Sequence, residues 1–355
     1  MSDTGETLRK ARESAGVSLA KMAALSHFSK GHLSNVEAGR RTATADVVTA
    51  YEQVLGDHMQ RRGLITGLAA AVVAPAAVSE LIHRGFTAAL GDPAAEEQWQ
   101  ERAGNLGRDY MSVGAGELQD RLASDLVVLQ QQLGSPVMWG LAARFLSVYG
   151  KTTGEAQEAV RWYRLAAVSA DRSGDRSVRV WVRGRAALAL GYEGAALAVA
   201  QDLADQALTL TDRPSLGRLN ALMAKAHVAG VRGDRTAALA HLDAARRVFD
   251  QTCSAEQISD FAVPEWRMAT FTSMLLARLG DPAAVDAQEW ADRTRPASLA
   301  RFATHIELHR GLMLVKSGDR VEGLRYARSA LASLPPAKHS QSLRLMLREV
   351  ERAAA

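Results

Sequence analysis

The chain has 355 residues, of which 47% are apolar and only 5% aromatic, and its formal net charge is +4. That length exceeds one small domain and suggests two, or one plus an extended array, while abundant Ala, Leu and Arg with few aromatics favour helices over β-rich architectures. A single cysteine, Cys253, excludes an internal disulfide framework and a multi-cysteine zinc site, which points to a reducing cytoplasm.

In chain order, the polar stretch Met1 to Arg12 lacks the apolar segment of a signal peptide. Thr7 to Ala15 reads as a first helix, with Leu8, Ala11 and Ala15 apolar and Gly16 stopping it. Ser18 is placed to cap a second helix, Leu19 to Leu25, in which Leu19, Met22 and Ala23 share a face. Ser26, His27 and Phe28 fit a tight turn, with Phe28 plugging the core. Ser29 then caps a third helix, Lys30 to Ala38, whose inward residues are Leu33 and Val36, and Gly39 takes the left-handed position at its end. A fourth helix, from about Ala45 to Leu55, turns Val47, Val48, Tyr51, Val54 and Leu55 toward the same core.

The run Ser18 to Arg41 resembles the lambda-repressor-like (Xre-type) helix-turn-helix without a gap: Ala23, Ser29, Leu33, Val36 and the ending Glu37-x-Gly39 all match. His27 departs from it, standing where the family has a turn glycine, and histidine enters the left-handed region less easily. The resemblance implies a domain over residues 1–60 whose third helix enters the major groove, with Ser29, Lys30, Gly31, His32, Ser34 and Asn35 facing DNA. Asn35 suits adenine and Lys30 guanine; Gly31 lets the backbone approach, and Arg40 and Arg41 suit phosphates. Residues 1–60 hold seven Lys/Arg and seven Asp/Glu, so affinity rests on where the charges sit. The implied partner is double-stranded DNA, with a homodimer reading a palindromic operator. The alternative is a protein–protein scaffold whose reader has lost DNA binding.

Residues 61–90 are expected to form an apolar helical connector. The uncharged run Gly63 to Ser79 is shorter than the ~20 residues of a membrane span and Pro75 interrupts it, so it reads as a buried connector with no membrane role.

Over 91–355 the pattern is helix after helix. Glycine recurs at Gly154, Gly194, Gly233, Gly280 and Gly318, at spacings of 40, 39, 47 and 38 residues, which signals stacked helical hairpins. Small residues fall where paired helices cross: Ala159 and Ala166, Ala238 and Ala245, Gly323 and Ala327, with the Gly194 and Gly280 units fitting less well. A last helix, Gln341 to Ala353, caps the stack. The pattern is similar to tetratricopeptide repeats with longer helices, so the expected fold class is all-α: a helix-turn-helix domain plus a tetratricopeptide-like α-solenoid. The layout resembles peptide-pheromone-responsive regulators, and the Ala- and Arg-rich composition points to a GC-rich, actinobacterial genome. The resemblance implies a peptide or small-molecule effector in the concave groove. Aligning the units on the glycine puts Trp181, Asn220, Arg267 and His305 at one groove-facing position, with Arg144, His227 and Lys316 beside it.

Catalytic chemistry is missing from this pattern. His305 and His309 stand four apart on a helix, but the glutamate a zinc protease needs is not after the first, and no third ligand is near. No phosphate loop, nucleophile elbow or dinucleotide fingerprint occurs. The expectation is a regulator rather than an enzyme, without cofactor or metal.

Overall fold

A computed structural model describes residues 3–14, 17–44, 46–48, 50, 51, 54 and 94–355. The expected connector 61–90 and the helix stop at Gly16 lie outside them. Backbone contacts divide the chain into two units, 1–83 and 84–355. Among the described residues every regular element is helical, and no helix is long and apolar enough to cross a membrane.

The first unit contains α1 (Asp3–Ser14), α2 (Leu19–Leu25) and α3 (Lys30–Glu37); residues 46–48, 50, 51 and 54 are helical too. Leu8, Val17, Met22, Leu33, Val36, Val47 and Tyr51 form its core, with Phe28 packed against it. Helix α1 begins earlier than Thr7, at Asp3, and carries Gly5 directly onto α3: a Cβ there would lie 2.2 Å from the Val36 carbonyl oxygen. Gly39 has φ +69°, the left-handed end expected of it. His27 does not follow: the α2–α3 turn is built without a left-handed residue, so the missing glycine costs no backbone strain.

The described part of the second unit starts with α4 (Ala94–Ser112), α5 (Ala115–Leu129) and a 3-10 turn at Gln130–Gln132. Five helical hairpins follow: α6 (Pro136–Thr152) with α7 (Ala156–Arg172), α8 (Arg176–Glu193) with α9 (Leu197–Leu210), α10 (Leu216–Val231) with α11 (Arg235–Thr252), α12 (Glu265–Leu279) with α13 (Ala284–Thr294), and α14 (Ala300–Lys316) with α15 (Arg320–Ala332). A 3-10 turn at Pro336–Lys338 leads to α16 (Gln341–Ala354), which packs on α14 and α15 and closes the stack. Each recurrent glycine falls in the turn inside a hairpin. Gly194, Gly233, Gly280 and Gly318 have positive φ, whereas the Gly154 turn closes without it and Gly174, between hairpins, has φ +66°.

Small residues occur in all five hairpins. Ala159 and Ala166, Ala238 and Ala245, and Gly323 and Ala327 are buried as expected. In the Gly194 unit the equivalent pair is Ala200 and Ala207, and in the Gly280 unit Ala284 and Ala291, all fully buried. These lie one residue later and one earlier than in the Gly154 and Gly233 units, so the two units are shifted in register rather than lacking the contact.

Candidate nucleic-acid interface and interior cavity

Helix α3 is fixed at both ends and on one face. The Ser29 hydroxyl accepts from the His32 backbone N–H at 3.2 Å, and Ser18 does the same for Lys21 at 3.1 Å, satisfying donors that a helix start leaves free. Leu33 and Val36 are wholly buried. Ser29, Lys30, Gly31, Ser34, Asn35, Arg40 and Arg41 are exposed, so seven of the eight expected DNA-facing residues lie at the surface. His32 is half-buried: it stacks on Phe28, ring centroids 5.3 Å apart, and its Nδ1 is 2.9 Å from Arg41 Nη1. That contact ties Arg41, beyond the end of the helix, to its first turn. A Cβ on Gly31 would meet no heavy atom within 4 Å, so its outward side is open.

What local sequence reasoning missed is the buried polar link behind this surface. Arg12 donates from Nε and Nη2 to the two oxygens of Glu37, at 2.6 and 2.7 Å, and from Nη1 to the Val17 carbonyl at 2.9 Å. Tyr51 donates to Glu37 Oε1 at 2.6 Å. Burial pushes the Glu37 carboxyl up, yet hydrogen bonds from Arg12 and Tyr51 outweigh it and hold it below the usual carboxylate range. The signal was the position of Glu37 beside Val36 and four after Leu33, on the inward face; its partners, 25 and 14 residues away, leave no local trace.

The seven residues expected to face a groove all lie on first helices of hairpins. Only Lys316 is exposed; Arg144 and Trp181 are half-buried, and Asn220, His227, Arg267 and His305 are buried. The expectation of an open groove along this row is therefore corrected. For Arg144, Trp181 and Arg267 the cause is the segment 253–264, the source of the 47-residue spacing, which lies against them. Its Phe261 meets Trp181 edge-on at 5.1 Å and lies 5.9 Å from the Arg144 guanidinium. Arg267 Nη1 donates to the carbonyls of Ser259, Asp260 and Ala262. From the other side, the Asp260 backbone N–H donates to the Gly107 carbonyl of α4 at 2.8 Å. His227 instead receives Arg278 Nη1 at 3.1 Å, and the same arginine holds Glu349 of α16.

Asp260, unmarked in the sequence reading, is the hub. Its Oδ1 accepts from Lys151 at 2.5 Å, Arg185 at 2.8 Å and Arg267 at 2.6 Å. Burial pushes its carboxyl up, but those three cations hold it well below the usual range. Burial and the nearby Arg185 push Lys151 well down. Beside the hub lies a cavity of about 50 Å³, whose wall includes Lys151, Arg185, Arg267, Arg301, Glu193 and His305. Two of the seven expected ligand residues, Arg267 and His305, thus reach it. His305 and His309 both meet the Tyr192 hydroxyl, at 3.3 and 3.1 Å, and His309 Nδ1 lies 2.6 Å from Ser273 Oγ. Among the described residues no group of three metal-ligating side chains occurs.

No curated protein and no solved structure matches the chain. Residues 3–56 match the family described as Helix-turn-helix domain, and with the capped, outward-facing α3 this gives the chain an N-terminal helix-turn-helix domain of the DNA-binding kind.

Proposed function

We propose that the protein is a sequence-specific, Xre-type transcriptional regulator, not an enzyme, that acts in the cytoplasm as a homodimer on a palindromic operator. The observation that carries this reading is the two-sidedness of α3. Leu33 and Val36 are wholly buried, while Lys30, Ser34, Asn35, Arg40 and Arg41 are exposed. Amide and ammonium groups on a groove-sized helix discriminate base edges, and arginines at its end seat the phosphates. The tetratricopeptide-like second unit would carry dimerisation and effector sensing. Such control requires an effector that binds two conformations with different affinity, since equal affinity shifts no equilibrium. A scaffold role with a vestigial reader has no observation in its favour.

The test is genome-wide mapping of DNA bound by the purified chain, followed by titration of the recovered duplex against salt. Binding should weaken steeply as salt rises yet keep its preference for the recovered sequence. Lys30→Ala with Asn35→Ala should abolish that preference without unfolding the domain. Sequence-specific binding that survives both substitutions would overturn the assignment of α3 as the reading helix.

A further inference from the structure

We propose that the cavity walled by α4, α6, α8, α12, α14 and the start of α16 binds the oxyanion group, carboxylate or phosphate, of a small organic ligand. The first argument is charge. Lys151, Arg185, Arg267 and Arg301 all line it, whereas the described carboxylates at the cluster are two, Asp260 and Glu193. Each of the four cations is at least nine-tenths buried in its side chain or residue. Cations held out of water in excess of anions are strongly unfavourable unless a counter-ion joins them.

The second argument is unmet hydrogen bonding. Asp260 spends Oδ1 on three donors, so one carboxylate oxygen serves Lys151, Arg185 and Arg267 together. The Nε donors of Arg185 and Arg267 remain buried without an acceptor, while the second Asp260 oxygen, Oδ2, is buried without a donor and so does not serve them. Buried polar groups ordinarily find partners, and two unmet guanidinium donors on residues that line one cavity call for an oxygen acceptor there.

Size and lining give the ligand class. The volume of about 50 Å³ holds roughly four waters at ~10–15 Å³ each, enough for a carboxylate or phosphate head and little more. Phe271, Phe302 and Leu188 also line it and would meet the carbon that carries this head. Glu193 is the built-in competitor for these cations. Its burial pushes the carboxyl up to about 7 against the pull of Lys151 and Arg185.

This inference deepens the regulatory reading by naming the effector's chemical class, but it is measured without DNA, so either can fail alone. The full-length protein is melted at pH 8, above the Glu193 value, in increasing sodium phosphate or sodium acetate, with sodium chloride holding ionic strength constant. At least one oxyanion should raise the melting temperature saturably beyond chloride, and which one responds separates a phosphate ligand from a carboxylate. Lys151→Met should remove the rise. Glu193→Gln, which deletes the competing charge without adding bulk, should lower the half-saturating concentration about tenfold. Lys316→Met, an exposed cation away from the cavity, should change neither. No rise with either anion, or a Glu193→Gln protein that saturates at the wild-type concentration, would overturn the proposal even if Lys151→Met fails to fold.

Discussion

The side chains that hold the reading helix are not those that would read. Arg12, Glu37 and Tyr51 form a buried ion pair with a phenol donating into it, joining α1, α3 and the helical residues around position 51. Removing one member of a buried pair strands the other, at a cost of about 3–5 kcal/mol. Arg12→Leu should therefore raise amide hydrogen exchange throughout α2 and α3. All six tryptophans lie between Trp99 and Trp290, so tryptophan fluorescence should report an unchanged urea transition for the second unit. Unaltered exchange in α3 would mean the pair does not support that helix. At the surface, Gly31 separates recognition from folding: with open space beyond it, Gly31→Ala should preserve the fold and lose DNA affinity, measured by fluorescence anisotropy, if the backbone approaches DNA there.

Between elements, glycine does two opposite jobs. At Gly104 in α4 a Cβ would meet nothing within 4 Å, but at Gly184 in α8 it would lie 2.1 Å from the Gly217 carbonyl oxygen of α10. Gly104→Ala should thus stabilise the second unit by about 0.5–1 kcal/mol through lost chain entropy. Gly184→Ala should destabilise it by roughly 1–3 kcal/mol, because the helices must part. Opposite shifts of the urea midpoint would verify the close crossing, and parallel shifts would refute it. The same contrast explains what was legible in sequence. Caps at Ser18 and Ser29, the Gly39 ending and hairpin turns are local, written within a few residues, and they were readable. The α8–α10 crossing joins Gly184 to a residue in another hairpin, and Asp260 meets Lys151 across 109 residues; neither leaves a periodic signal. The 47-residue spacing did mark an insertion, but only the packing shows it against the first helices. The groove row was therefore correctly placed on those helices and wrongly expected to be open.

At the scale of the whole second unit, buried histidines set how stability depends on pH. His227, His305 and His309 are pushed down chiefly by burial, aided by Arg278 at His227, Arg301 at His305, and His305 and Arg278 at His309; for His305 the value is about 3. Unfolded histidine titrates near 6.5, so below that pH the unfolded chain takes up protons that the folded chain refuses. Their stabilising contribution is complete above about pH 6.5 and is lost as pH falls toward the folded values. Glu193 acts in the opposite sense, because its value of about 7 favours the folded state as acid protonates it. These three, with His241 pushed down by burial in the same sense, outweigh one. Each refused proton costs about 1.4 kcal/mol per pH unit, so the tryptophan-reported urea midpoint should fall between pH 6.5 and pH 5. His309→Gln offers Ser273 and Tyr192 an amide that does not titrate, and it should flatten that fall by about one proton's worth. A midpoint that stays level or rises over this interval would show that at least two of the three histidines accept a proton inside the folded helices.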